Sequence, residues 1–417
     1  MRLDSQRDRR FALRLDVMTK SDNRIQARIP GVPSAVLFGL FSRYFIENKI
    51  KPRDIGVFPL LFSFPFMFYP KVLAGDTQPW ILSAALIAFF TFRTGQFFDR
   101  RDGVLVVLSI LSILAYAFRS ALGFELLRQI YTYLAFLIFW MVCGRENGEY
   151  FPAAVKATVI VWLGVGLYQY AAIAMGFQIE PFGRYMEGRS GVPSLTAEPS
   201  YYGSISVLYL MYLLSQKNKR NTFYIACAVA SVVLSGSMLA VLLLIFPLLR
   251  LPPIPRIGVV VALPLLVVGD FYLTSAGLRS RLYDVTSSGL DLSSLLLDAS
   301  LNLRVGNLYF TLVENLIPSL LLFGPIDFMT QYNEFALNSG VFIGGVESNY
   351  ILPAIGEMIY GAGVFAVLLL AIFLKRAQEK CGTNKTKIER IAFIMACMLG
   401  PISISNIFLI LYAQSKD

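Results

Sequence analysis

The sequence predicts an all-α, polytopic membrane protein, and three observations carry that prediction. Hydrophobic residues make up 56% of the 417 positions and charged residues only 15%. Apolar runs of near-spanning length recur from end to end, and the loops between them alternate in charge. A helix of roughly 20 apolar residues satisfies its own backbone inside a bilayer, where no water can do so.

Residues 1–54 form a basic, mixed segment. Its start is polar without an early apolar run, so no cleavable signal peptide is expected. An amphipathic patch at 32–46, broken by Arg43, suits the membrane surface rather than a crossing. Spans are predicted at 55–73, 80–98, 104–120, 125–143 and 152–176. Arg93, Arg100, Arg101 and Arg145 fall on one side of these, and Lys71, Arg119 and Glu125 on the other. The positive-inside rule puts the first group and the N-terminus in the cytoplasm, and loop 177–200 outside.

A helix from Tyr201 to Gln216 then runs inward to Lys217, Lys219 and Arg220. Residues 222–250 read as a hairpin of two short spans meeting at Ser235-Gly236-Ser237, and 257–273 returns outward. Residues 274–347 form the second large outer loop. Its stretch 305–323 is interrupted by Asn307, Glu314, Asn315 and Pro318 and suits an interfacial helix. Counting it as a span would put Lys375, Arg376, Lys380, Lys385, Lys387 and Arg390 outside. Spans at 348–374 and 391–412 complete about eleven crossings in a single membrane domain, 55–417.

The net charge of +10 is explained by inner loops facing anionic lipid, so no nucleic-acid partner is expected. The four cysteines show no metal or disulfide spacing, and the chain contains no histidine. Without the commonest metal ligand and general base, no metal or cofactor is expected. Chemistry falls to carboxylates, arginines, tyrosines and hydroxyls.

Lysines concentrate on the predicted inner side. The basic residues of the two large outer loops are all arginine: Arg184, Arg189, Arg279, Arg281 and Arg304. Pairing with Glu180, Glu187, Asp284 or Asp298 would account for any one of them. Together, on the side where positive charge is sparse, they point to an anionic ligand such as a pyrophosphate, which a guanidinium fork grips through two parallel hydrogen bonds. Glu198 precedes Pro199, which is suited to the first turn of a helix and biases Glu198 to extended backbone. It either caps that helix, where the dipole tolerates a carboxylate, or accepts a proton from a substrate hydroxyl. Tyr201 and Tyr202 suit an interfacial belt or stacking on sugars. A second cluster is Glu347-Ser348-Asn349-Tyr350, with Glu357 expected two to three turns into the following span, a costly depth for a carboxylate. Arg128, near the outer end of its span, reads as snorkelling to the interface.

In order and membrane side, residues 120–375 resemble the O-antigen polymerase and ligase superfamily, which includes the Wzy-type polymerases. The likeness rests on Arg189-Ser190-Gly191 leading to Glu198-Pro199-Ser200 and Gly203, and on Ser235-Gly236-Ser237 between short spans. It also rests on Arg304 before Leu322-Phe323-Gly324-Pro325, then Glu347-Ser348-Asn349-Tyr350 and Gly356 through Gly363. Ser348 stands where ligases carry a histidine, and that missing histidine favours a polymerase; Met238 follows Ser-Gly-Ser where arginine is usual.

The resemblance implies a glycosyltransferase-C-like bundle in the bacterial inner membrane. It implies polymerisation of undecaprenyl-pyrophosphate-linked repeat units at the outer face, with a chain-length regulator as a possible partner. It assigns the five arginines to pyrophosphate, Glu198 as first and Glu347 as second choice of base, and Tyr201, Tyr202, Asn349 and Glu357 to the glycan. A ligase, and a transporter or flippase of lipid-linked sugars, are the alternatives. A transporter would show charge along a central path and repeated halves, whereas here charge clusters at the outer face and no repeat is evident.

Overall fold

The computed structural model describes residues 80–91, 102–119, 124–143, 150–175, 191–196, 198–216, 221–248, 299–323, 328–343 and 354–380, with positions 394, 405, 406 and 410. All lie in one compact unit, 51–417. Of the described residues 88% are helical and none is in a strand. The predicted segment 1–54 and the spans at 55–73 and 257–273 lie outside them, as does most of 391–412.

The helices are α1 (Trp80–Thr91), α2 (Asp102–Arg119), α3 (Phe124–Cys143), α4 (Tyr150–Ala174), α5 (Pro199–Ser215), α6 (Thr222–Leu234), α7 (Met238–Leu248), α8 (Ala299–Tyr309), α9 (Leu316–Leu320), α10 (Phe328–Ser339) and α11 (Ala354–Lys380). Among the described residues four stretches are long and apolar enough to cross a membrane: Asp102–Arg119, Leu126–Cys143, Val155–Ile173 and Ile355–Arg376. α1, α6 and α7 are apolar but shorter. The expected break of 222–250 at Ser235-Gly236-Ser237 separates α6 from α7.

α2 shows how these helices present apolar surface on two faces. One face buries Leu105, Leu108, Ser112 and Ala115 in the bundle. The other exposes Val104, Val107, Ile110, Leu114 and Phe118 at three- and four-residue spacing. A helix apolar on both faces is compatible with a membrane on its outward side. α5 is the opposite case, buried at every position from Tyr202 to Leu213, which makes it the central helix of its neighbourhood.

The helices form two groups by their principal packing. α2 packs on α3 and α11, α1 on α3, and α9 on α11. α10 joins this group through the aromatic core of Phe310, Phe328, Tyr332 and Tyr360. The second group is α4 to α7, in which α5 packs on α6 and α7, and α4 on α6. Trp162 of α4 meets the rings of Tyr202 and Tyr209 at 6.0 and 5.4 Å.

The expected interfacial helix at 305–323 is broken into pieces. α8 ends at Tyr309, a π-helical turn covers Phe310–Glu314, and α9 follows after Asn315. Below it α11 is kinked at Gly363, whose φ of +57° a side chain would strain. A β-carbon there would also stand 2.4 Å from Ser319 O, so glycine lets α9 cross close. Arg119 donates to the carbonyls of Tyr360 and Gly361 beside the kink and to Phe323 O, covering carbonyls that a bent helix releases.

Candidate functional site

The site is built around the segment 191–200. Its first half was expected as an external polar loop, but Val192, Ser194, Leu195 and Thr196 are buried between helices. Non-helical backbone survives at such a place only if every polar group finds a partner. Gln169, in the apolar body of α4, supplies two of them. Its side-chain amide donates to Ser194 O at 2.8 Å and accepts from Ser194 N at 2.7 Å. Ser194, with φ of +52°, donates its hydroxyl to Trp162 O, and Val192 N donates to Leu234 O.

The motifs read in the sequence meet here. A β-carbon at Gly191 would stand 2.0 Å from Ser235 O, and one at Gly203 would stand 2.4 Å from Ser235 Oγ. The Ser235-Gly236-Ser237 turn therefore seats against both glycines. Ser235 Oγ donates to Val232 O and accepts from Ser237 N, which fixes that turn.

Glu198 occupies the N-cap of α5 in extended backbone, with Pro199 in the first turn, as the sequence predicts. Its backbone carbonyl accepts from Tyr201 N and Tyr202 N, but its carboxylate makes no capping bond. Instead Glu198 Oε2 accepts from Ser200 Oγ at 3.4 Å. Arg304 Nη2 of α8 donates to Ser200 Oγ at 3.3 Å, 104 residues away in sequence. Carboxylate, hydroxyl and guanidinium so form one chain across the boundary between the two helix groups. Arg304 sits in the second turn of α8 with 2% of its surface exposed.

Three other readings of individual residues need correction. Tyr202 is fully buried, with its hydroxyl donating to Trp162 O, so no ring face is open to a sugar; Tyr201 beside it is only half-buried. Glu357 lies in the first turn of α11, because that helix begins at Ala354, not two or three turns inside. It accepts from Gln129 at 2.5 Å and forms an ion pair with Arg128, so Arg128 ties α3 to α11 instead of snorkelling. Arg184, Arg189, Arg279, Arg281, Glu347 and Asn349 lie outside the described residues.

Sequence reasoning missed Ser200, Gln169 and Asn302. Asn302 holds the strand of backbone ahead of Glu347, donating to Val341 O at 3.0 Å and accepting from Ile343 N at 2.9 Å. Tyr332 adds a hydroxyl bond to Ile343 O, and burial pushes its phenol up to about 12, which keeps it a neutral donor. The one available signal was an uncharged amide inside an apolar run, which Gln169 shows and which costs free energy unless paired. The chain matches no family model, no curated protein and no solved structure.

Proposed function

We propose that the protein is a membrane glycosyltransferase that polymerises undecaprenyl-pyrophosphate-linked oligosaccharide repeats, with its site between 191–200 and 299–349. The observation that carries this reading is the Arg304–Ser200–Glu198 chain, which joins a cation from the second predicted outer loop to a carboxylate from the first. Such transfer requires a cationic grip on a leaving pyrophosphate and an acceptor for a hydroxyl proton, and these residues offer both. The proposal includes about eleven crossings in a glycosyltransferase-C-like bundle of the bacterial inner membrane, with both loops on the outer face.

In the reaction, the acceptor hydroxyl oxygen attacks the anomeric carbon of the growing chain. The bond from that carbon to the pyrophosphate oxygen breaks, and undecaprenyl pyrophosphate leaves with the electron pair. Glu198 takes the hydroxyl proton, with Ser200 positioning its carboxylate. Arg304, with Arg184, Arg189, Arg279 and Arg281, neutralises the departing pyrophosphate. Glu347 is the second candidate for the base, and Tyr201, Asn349 and Glu357 stand on the glycan side. In cells carrying Glu198→Gln or Arg304→Ala, with the protein still present in the membrane, surface glycan is expected to collapse to single repeats. Normal long polymer in both strains would overturn the assignment.

A further inference from the structure

A groove of about 570 Å³ lies beside α2, and the transferase chemistry makes no use of it. Leu111, Leu114, Phe118 and Arg119 of α2 line it, together with Leu322 after α9 and Phe365 of α11. Its wall is open, with Leu114 and Phe118 exposed by 47% and 88%. Leu111, Leu114 and Phe118 recur at three- and four-residue spacing and so share one face of the helix. From Leu111 to Arg119 the helix rises about 12 Å. Half of a hydrocarbon core is about 15 Å, so the groove has the length of a lipid tail from one leaflet. Leu322 holds φ of +61°, a conformation usually left to glycine after a helix end. Leucine there sets an apolar side chain against Gly363 at the kink of α11 and completes the wall. The polar end of the groove is Arg119, the last residue of a stretch long enough to cross a membrane, where lipid headgroups lie if it does cross. Its guanidinium lies 5.3 Å from the centre of the Tyr360 ring and donates to the carbonyls of Tyr360, Gly361 and Phe323. Carbonyls and ring carry no net charge, so these contacts fix the fork without cancelling its charge.

We infer that this groove binds a phospholipid of the phosphatidylglycerol type, with one tail along α2 and its singly charged phosphodiester at Arg119. The inference rests on the α2 stretch crossing a bilayer, and not on the transferase chemistry at Glu198 and Arg304. Charge decides the occupant. One guanidinium matches one phosphodiester charge through paired hydrogen bonds, whereas a zwitterionic headgroup brings an ammonium of its own to the same place. A pyrophosphate carries more negative charge than one arginine balances. A lipid seated here touches α2, α11 and the residue after α9 at once, and stabilises the kinked arrangement by mass action.

The test measures binding of phosphatidylglycerol, phosphatidylcholine and undecaprenyl pyrophosphate to the purified full-length protein in detergent, by native mass spectrometry. Wild type is expected to bind phosphatidylglycerol about tenfold more tightly than phosphatidylcholine, the effect of one charge-assisted hydrogen bond. Arg119→Gln is expected to bring phosphatidylglycerol down to the level of phosphatidylcholine. Because Arg119 also holds the kink, Leu114→Trp serves as the second variant. It fills the groove from an exposed position, leaves Arg119 in place, and is expected to weaken phosphatidylglycerol about tenfold. Equal affinity of wild type for the two phospholipids would overturn the inference, as would unchanged phosphatidylglycerol binding by Leu114→Trp. Undecaprenyl pyrophosphate binding more tightly than phosphatidylglycerol, and weakened by Leu114→Trp, would also overturn it by giving the groove to that lipid instead.

Discussion

Glu198 holds the N-cap of α5 without spending its carboxylate on the cap, and that is why a chemical role stays open to it. The helix start is already set by Pro199 and by Thr196, whose hydroxyl reaches both Pro193 O and Glu198 O. Arg304 supplies the opposite charge. Because a guanidinium fork matches phosphate geometry and an ammonium does not, Arg304→Lys is expected to lower kcat about 10²-fold despite conserving charge. Turnover of lipid-linked repeats by purified protein checks this, and a loss below threefold would reject it. Gln169 acts at one remove. Gln169→Leu leaves Ser194 N and O unpaired in the bundle, and is expected to cost about 2–5 kcal/mol in detergent unfolding.

The helices were legible in the sequence because spanning length and apolar composition are local properties. Predicted 104–120, 125–143 and 152–176 correspond to α2, α3 and α4 within two residues at each end. The Ser235-Gly236-Ser237 break was legible for the same reason. What escaped was tertiary: the burial of 192–196, the seat of Gly191 and Gly203 on Ser235, and the partner of Glu357 all depend on which helices meet. The interruption of 305–323 could be read from Pro318 and its polar neighbours, whereas the π-helical turn between the pieces could not. At this scale the glycines make the sharpest prediction. Gly191→Ala combines φ of +90° with a contact of 2.0 Å to backbone, and no flexible side chain can yield. It is expected to lower the unfolding temperature and abolish polymer, whereas Gly103→Ala, where nothing lies within 4 Å, leaves both unchanged.

Across the whole molecule, two helix groups meet at a polar contact made by Arg304 and Ser200. The first group is tied within itself by the Arg128–Glu357 pair, which with Gln129 joins α3 to the start of α11. Removing either charge leaves the other largely buried and is expected to cost about 3 kcal/mol. Arg128→Met with Glu357→Leu is expected to cost less than the sum of the singles in a double-mutant cycle of detergent unfolding. Additive costs would mean that the two side chains do not act as a pair.

The central claim is that the junction of the two groups is a polymerising site, and one measurement addresses it directly. Purified protein reconstituted with lipid-linked repeat units is assayed for product length and for release of undecaprenyl pyrophosphate. Wild type is expected to give a ladder of lengthened glycans with one undecaprenyl pyrophosphate released per repeat joined, while Glu198→Gln and Arg304→Ala leave single repeats. Movement of repeats between leaflets without lengthening, or an unchanged ladder in both variants, would contradict the account.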